Sequence, residues 1–364
     1  MSRYVPLLRL GVGALADIYL GLLRGPAGFE RVVVLKRALA SAVANADEAI
    51  GALVAEARIV GSLQHPNVVA VHELVETPEG MTLVLEYLPG ISVHGLLSAT
   101  RRQGTTIPWP MACRIIADAA RGLDHAHRAK DVHGRSLGVV HRDVTPRNML
   151  VTEEGITKMV DFGIARAQPV DGARKRTKPG YFKGTAAYCS PEQIRGRALD
   201  ARSDVFSLGV VLHELLSGQP LFHRPDREET FRAILQGPTP APPQGSSIVK
   251  DLLVSMLARD VQHRTITMGE VADLLESAIL DTRSDAWCSH ASLRMWLEAE
   301  VGESMERRRE RVRSLVAAGI RGPDSEAFHD GHTLVTLEAA LDTGDLLEEM
   351  GTQVDIEPPP HFES

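Results

Sequence analysis

The chain has 364 residues, 44% of them hydrophobic and 24% charged, and carries a net charge of −7 at pH 7. These proportions are ordinary for a soluble globular protein, and the length exceeds one small core, so we expect two lobes or a domain with an extension. The negative charge argues against nucleic acid as a partner, and the absence of a long apolar run argues against a membrane span. Three dispersed cysteines fit a reducing compartment, so we expect a cytoplasmic protein.

The first part of the chain is predicted to consist mainly of short strands. Runs of apolar and β-branched residues bounded by glycine and proline predict strands at 7–10, 18–22, 31–36 and 81–86. Residues 46–62 are rich in Ala and Glu, with apolar residues at helical spacing, and predict one helix.

Helical periodicity dominates from Trp109 onward. It predicts helices at 109–129, 203–217, 228–235, 248–257 and 268–278, with short strands at 149–152 and 158–160. A stretch rich in Pro and Gly at 237–245 predicts a loop. A strand-rich segment followed by a helix-rich segment indicates the α+β fold class.

The C-terminal part differs in charge. Residues 285–318 predict one or two amphipathic helices, whereas residues 322–364 contain eleven Asp or Glu and no Lys or Arg. Such a composition is typical of a solvated, disordered tail. We therefore expect a main domain at 4–280, a helical extension at 281–321 and an acidic tail at 322–364.

Two polar motifs carry the candidate chemistry. A His-Arg-Asp motif ends at Asp143, with Asn148 five residues later, and an Asp-Phe-Gly motif begins at Asp161. A carboxylate can accept a hydroxyl proton, and carboxylate and amide oxygens suit Mg²⁺. The Gly-Val-Gly run at 11–13 lies between two predicted strands, which suits a flap over nucleotide phosphates better than a dinucleotide-binding turn.

Taken in order, these motifs resemble those of the eukaryotic-type (Hanks-type) protein kinases, specifically the bacterial serine/threonine branch. The other matching positions are the glycine-rich loop from Leu10 to Ile18, the lysine motif ending at Lys36, Glu56 in the next helix, the hinge from Leu85 to Leu88, Ser190-Pro191-Glu192, Asp204 and Arg264. The resemblance implies a two-lobed fold, with an N-lobe at about 4–88 and a C-lobe at about 89–280. It also implies ATP and Mg²⁺ as cofactors, protein substrates and self-association for autophosphorylation.

The resemblance also implies a role for each matched residue. Asp143 is expected to be the catalytic base, Lys36 to hold the α/β-phosphates, Glu56 to orient Lys36, and Asn148 and Asp161 to hold two Mg²⁺ ions. The expected ATP-binding residues are Leu10, Gly11, Val12, Gly13, Ile18, Val34, Lys36, Glu86 and Leu88. The expected structural residues are Glu192, Asp204 and Arg264.

Acceptor specificity and regulation depend on fewer positions. Thr145 stands where serine/threonine members usually carry lysine, and Arg147 stands where tyrosine-specific members carry arginine, so Arg147 is expected to supply charge at the γ-phosphate. Thr185, ahead of Tyr188, resembles the serine/threonine substrate loop, and this favours serine or threonine acceptors. Thr177, within a basic run, is the candidate regulatory phosphosite.

Two other functions are compatible with parts of this pattern. A pseudokinase would bind nucleotide as a scaffold without phosphoryl transfer, although the residues whose loss marks that class are present here. A small-molecule kinase of the aminoglycoside or choline type would lack the Pro-Glu motif at Glu192 and its distant partner Arg264, both of which this chain has.

Overall fold

The computed structural model describes residues 3–12, 15–38, 46–162, 186–280 and 289–318. The N-lobe contains a five-stranded antiparallel sheet. Its strands are β1 (Tyr4–Val12), β2 (Ala16–Arg24), β3 (Glu30–Ala38), β4 (Val71–Thr77) and β5 (Gly80–Glu86). Their spatial order is β1-β2-β3-β5-β4. The strand-rich N-lobe is confirmed, but β4 was missed because its alternation includes His and Glu on a half-buried face.

The register of this sheet collects the cleft-facing side chains. Alternate residues of a strand point to the same face, so Ile18 and Leu20 of β2 lie side by side, and both are buried. In the pairing of β2 with β3, Ile18 lies opposite Lys36 and Leu20 opposite Val34. One face of the sheet thus presents an apolar surface that ends at a lysine.

Helix α1 (Ala46–Val60) packs against the sheet through its apolar face. Ala49 and Leu53, four residues apart, are buried in one cluster with Leu83 of β5. Glu56 follows Leu53 by three residues and therefore lies on the same side of the helix. Packing of α1 thus brings a carboxylate beneath the sheet.

The C-lobe is helical around a small second sheet. The sheet contains β6 (Gly90–Ser92), β7 (Met149–Thr152) and β8 (Thr157–Met159). The helices up to residue 280 are α2 (Val93–Gln103), α3 (Trp109–His127), α4 (Pro191–Ile194), α5 (Ala201–Ser217), α6 (Arg227–Gln236), α7 (Ser247–Met256) and α8 (Met268–Leu280). Helices α3 and α5 form the centre of the lobe and bury most of their residues.

Local signals explain where the central helix begins and ends. The Asp200 side chain accepts a hydrogen bond from the backbone N–H of Arg202 at 2.9 Å and caps the start of α5. Gly218 ends the helix with a φ of 70°, a conformation that glycine adopts without steric cost. The predicted helices of the C-lobe are all present, whereas α2 and β6 were not predicted.

After the C-lobe, the described residues 289–318 form one helix, α9 (His290–Ala318), of 29 residues. One or two helices were expected at 285–318, and the single helix carries a buried residue every three or four positions. These buried residues are Leu293, Leu297, Val301, Met305, Arg308 and Val312. The expected acidic tail at 322–364 lies outside the described residues, and the domain boundaries remain predictions. In the part of the chain that the structure describes, no helix is both long and apolar enough to cross a membrane.

Candidate active site

A lysine and two carboxylates meet between the lobes. The Lys36 ammonium, on β3, lies 2.8 and 2.7 Å from the two carboxylate oxygens of Glu56 on α1. The same ammonium donates a hydrogen bond to Asp161, which follows β8 in the C-lobe. Three elements that are distant in sequence therefore converge on one cation.

Burial and charge act in opposite directions on this cluster. Burial alone would lower the pKa of Lys36, but the charges of Asp161 and Glu56 outweigh it and raise the pKa. Burial also raises the pKa of Glu56; Lys36 opposes this shift and Asp161 adds to it. Two carboxylates share one ammonium, so the cluster carries an excess of negative charge when all three groups are ionised.

The loop that carries Asp143 lies beside Asp161. The backbone N–H of Val160, the residue before Asp161, donates to the Asn148 carbonyl oxygen at 3.0 Å. The Asn148 side-chain nitrogen donates to the Asp143 carbonyl oxygen at 2.8 Å and to Asp143 Oδ2 at 3.2 Å. Asn148 thus binds Asp143 directly and is held next to Asp161 through the bond with Val160.

Oxygen donors from Asn148 and Asp161 fit a hard divalent cation. The Asn148 nitrogen is engaged by Asp143, so its side-chain oxygen is the atom suited to a metal. Mg²⁺ prefers carboxylate and amide oxygens and keeps several of its own waters, so a pair of protein ligands is adequate. The donor set therefore matches the ion that the sequence predicted.

Asp204 anchors the loop that carries Asp143. This α5 residue is buried, and its carboxylate accepts the backbone N–H groups of His141 and Arg142 at 2.8 and 2.9 Å. His127 lies 2.8 Å from the same carboxylate. Burial alone would raise the pKa of Asp204, but the hydrogen bond and charge of His127, with those of His141, lower it.

Two residues of the site have positive backbone φ angles. Arg142 and Asp161 have φ values of 66° and 61°, in the left-handed region that non-glycine residues rarely adopt. Arg142 is held there by its hydrogen bond to Asp204, and Phe162, which follows Asp161, is buried against the His141 ring at 4.5 Å. Surrounding packing fixes a backbone that would otherwise relax, which is common at functional sites.

An apolar cleft lies next to this charged group. Its lining consists of Leu10, Ile18, Val34, Lys36, Val69, Leu85, Glu86, Tyr87, Leu88, Leu150, Val160 and Asp161. Lys36 and Asp161 also belong to the charged cluster. A mostly apolar slot with a few convergent charges is typical of a small-molecule site.

The lining includes most of the expected ATP-binding residues and three that sequence reasoning missed. Val69, Leu150 and Val160 carry only the apolar pattern of core strands, and no motif distinguishes them. Gly11 lies in β1 and Val12 is its last residue. Gly13, Thr177 and Thr185 lie outside the described residues.

Glu192 and Arg264 form a buried ion pair below the site. Arg264 Nη1 lies 2.7 Å from Glu192 Oε1, and the same oxygen accepts a hydrogen bond from the Ser203 hydroxyl at 2.7 Å. The guanidinium also donates to the Ala258 and Arg202 carbonyl oxygens. Burial alone would raise the pKa of Glu192, but the hydrogen bonds and charge of Arg264, with the Ser203 bond, lower it.

Thr145 and Arg147, on the loop that carries Asp143, differ in burial. Thr145 is buried, whereas Arg147 is half-buried in the turn Pro146–Asn148. Arg147 lies near enough to Tyr188 for its charge to lower the pKa of that phenol, which burial and Glu214 raise overall. Arg147 therefore lies towards the segment that precedes α4.

Residues 4–274 match the protein kinase domain family. Together with the converging lysine, carboxylates and apolar cleft, this match identifies the class: the chain belongs to the protein kinase family. The Hanks-type, bacterial resemblance read from its motifs is confirmed.

Among curated relatives, the chain is 34% identical over 344 residues to "Tyrosine-protein kinase MasK" of Myxococcus xanthus, covering 91% of this chain and 52% of MasK. It is 35% identical over 229 residues to "Serine/threonine-protein kinase PknB" of Mycolicibacterium smegmatis, covering 60% of this chain and 35% of that protein. The PknB of Mycobacterium tuberculosis matches at the same identity over 34% of its length. The chain thus spans about half the length of MasK and about a third of the length of the two PknB proteins. Because the MasK match covers 91% of the chain, it includes α9, which follows the matched kinase domain.

Proposed function

We propose that this chain transfers the γ-phosphate of ATP, with Mg²⁺, to serine or threonine side chains of protein substrates in the cytoplasm. The proposal rests most on the convergence of Lys36, Glu56 and Asp161 beside the loop of Asp143 and Asn148. Phosphoryl transfer needs positioning and charge neutralisation more than covalent chemistry, and these groups supply both.

Each side chain has a separate task in this proposal. Lys36, held by Glu56, pairs with the α/β-phosphates, and the apolar cleft binds the adenine. Asp143 orients the substrate hydroxyl and accepts its proton. Mg²⁺, when held by Asn148 and Asp161, neutralises charge on the triphosphate. Arg147 contributes a further positive charge at the γ-phosphate.

The proposal is tested by transfer to three peptides that differ only in a Ser, Thr or Tyr acceptor. We expect labelling of the Ser and Thr peptides, and a loss in Asp143→Asn of about a thousandfold in kcat/KM, since general-base and positioning effects of this kind are worth two to four orders of magnitude. Full activity in Asp143→Asn would refute the role of Asp143. Nucleotide binding with no transfer to any peptide would instead support the pseudokinase alternative.

Tyrosine phosphorylation is the second candidate, and Arg147 favours it. This arginine replaces the usual lysine two residues earlier and lies near Tyr188, and a relative with 34% identity is named a tyrosine-protein kinase. We expect Arg147→Ala to lower kcat by about tenfold with less effect on the KM for ATP, because its charge is needed most in the transition state. A Thr145→Lys change in that variant should restore part of the rate.

The two candidates differ in how the rescue depends on the acceptor. For a serine/threonine kinase, lysine at position 145 should restore transfer to the Ser peptide. For a tyrosine kinase, Arg147→Ala should lower Tyr labelling by the same factor of about ten, and Thr145→Lys should not restore it. No rate loss in Arg147→Ala with any peptide would show that this residue has no part in transfer.

A further inference from the structure

Helix α9 contacts both lobes. Its first half belongs to the C-lobe core through Leu293, Leu297 and Val301. Near its other end, Val312 is buried in one cluster with Leu10, Ile18 and Leu20 of the N-lobe sheet. At about 1.5 Å per residue, 29 residues span roughly 43 Å, which is long enough to join two lobes.

The start of α9 is fixed to the C-lobe at several points. His290 Nε2 lies 3.0 Å from both carboxylate oxygens of Asp118 on α3. Asp118 also accepts the backbone N–H of Thr157, so the helix start is tied to β8 of the C-lobe as well as to α3. At Gly155, a Cβ atom would lie 2.4 Å from the His290 carbonyl oxygen, so only glycine allows this close approach.

The middle of α9 passes beside the hinge. Arg309 forms an ion pair of 2.7 Å with Glu153, whose backbone N–H donates to the Pro89 carbonyl oxygen just after the hinge. The buried Arg308 lies near the hinge residue Tyr87, since its charge lowers the pKa of that phenol against the effect of burial. The helix is thus held at the pivot between the lobes.

The N-lobe residues under α9 are also nucleotide-site residues. Leu10 and Ile18 line the cleft and belong to the cluster of Val312. Val34 and Tyr87 do the same, and Leu315 of α9 packs on this cluster as well. A side chain that forms the wall of a pocket can move only if the residues behind it also move, because interiors are close-packed.

We propose that α9 is an interlobe strap whose Val312 positions Leu10 and Ile18 over the nucleotide, so that this helix sets nucleotide affinity. The inference rests on the proposed function for the identity of the ligand. Val312 is a positioning residue, since it acts through Leu10 and Ile18 and lines no part of the cleft. The matched kinase domain ends before this helix, so the strap is an addition to that domain.

The test compares Val312→Asp with Ser314→Asp in the full chain. Both changes add one carboxylate near the same helix end, but Val312 is buried against the N-lobe and Ser314 is exposed. Isothermal titration with MgADP is expected to give a Kd about tenfold higher in Val312→Asp, because a charge cannot remain against three apolar side chains without displacing them. Ser314→Asp is expected to stay within twofold of wild type.

Steady-state kinetics separate positioning from loss of structure. The KM for ATP should rise in parallel with the Kd in Val312→Asp, while kcat at saturating ATP changes by less than about threefold. Val312→Ala, which removes methyl groups and adds no charge, should shift the Kd in the same direction by about threefold and serves if the Asp variant does not fold.

Three results would count against the proposal in distinguishable ways. A wild-type Kd in both Val312 variants would overturn the strap while leaving the kinase function intact. An equal rise in Val312→Asp and Ser314→Asp would overturn it as well, since burial would then be irrelevant. No MgADP binding by the wild type would refute the proposed function itself and, with it, the strap.

Discussion

Two buried ion pairs of equal length have different surroundings in this molecule. The Lys36–Glu56 pair between the lobes and the Arg264–Glu192 pair within the C-lobe each join nitrogen to oxygen at 2.7 Å. Both are almost wholly removed from solvent. They differ in the groups around them. The surroundings of the Lys36 pair suit the binding of a ligand, whereas those of the Arg264 pair need none.

The C-lobe pair is balanced and saturated with partners. One guanidinium faces one carboxylate, and Ser203 and two backbone carbonyl groups complete the hydrogen bonding. At the lobe interface, Lys36 faces two carboxylates and borders an open cleft. The pKa of Glu192 is accordingly lowered and that of Glu56 raised. An excess of negative charge beside an open cleft is consistent with the binding of a metal cation.

Removing Lys36 should have the largest effect on activity. We expect Lys36→Met to lower kcat/KM for ATP by about a thousandfold or more, because the ammonium neutralises phosphate charge in a site sheltered from water. Lys158→Met is the matched control. Lys158 also pairs with a glutamate, Glu86, at 2.7 Å, but unlike Lys36 its own side chain does not line the cleft, so its loss should cost less than about fivefold. Transfer assays on both variants measure this difference, and equal losses would show that Lys36 has no special role in transfer.

Removing Arg264 should instead affect the free energy of unfolding. Arg264→Leu leaves Glu192 buried without its counter-charge, which costs about 3–5 kcal/mol. The control is Arg202→Met, since Arg202 forms an ion pair of the same 2.7 Å length with Asp200 but is partly exposed. Exposed pairs contribute less than about 1 kcal/mol.

Urea unfolding of the two arginine variants measures these costs directly. Because the penalty comes from the stranded carboxylate, adding Glu192→Gln to Arg264→Leu should recover part of the stability. If Arg264→Leu unfolds at the wild-type urea concentration, the balanced pair contributes nothing to the fold, and the contrast with Lys36 disappears.

Both ion pairs were predicted from the sequence, although their members lie 20 and 72 residues apart. The prediction came from motif order, because nothing in local periodicity brings Glu192 to Arg264. The same route identified Asp143, Asn148 and Asp161. The roles of these three residues stay predictions, although the structure brings Asp161 to Lys36 and Asn148 to Asp143.

Helix α9 shows what motif order could not predict. Its periodicity predicted a helix, but not the surface that it covers, because tertiary packing depends on partners far away in the chain. Val312 has no motif, and its contact with Leu10 follows only from where the helix starts and how it passes the hinge. Val69 and the other apolar residues of the cleft wall were missed for a similar reason, since core and ligand-facing valines have the same sequence pattern.

The smallest expected effect is a separation of activity from stability on acidification. The pKa of Glu56 is raised above its ordinary value of 4.5 by burial, with Asp161 adding to the shift and Lys36 opposing it. As pH falls, Glu56 therefore takes up a proton while ordinary glutamates are still ionised. A neutral Glu56 holds Lys36 less firmly, so we expect activity to begin to fall at a pH above 4.5.

The free energy of unfolding should change in the opposite sense at first, and it should fall only at a lower pH than activity does. A carboxyl whose pKa is higher in the folded state binds protons preferentially there, so protonation of Glu56 favours the fold as pH falls towards 4.5. Glu192 has a folded pKa below 4.5, so its contribution is present above that pH and is lost only as pH falls through the lowered value. Activity and tryptophan fluorescence, followed on one acid titration, should therefore decline in that order.

Glu56→Gln should be less active at neutral pH, by about tenfold, and should lack the early decline, because it has no proton to take up. An early decline that persists unchanged in Glu56→Gln would assign it to another group and remove the pKa contrast between the two pairs.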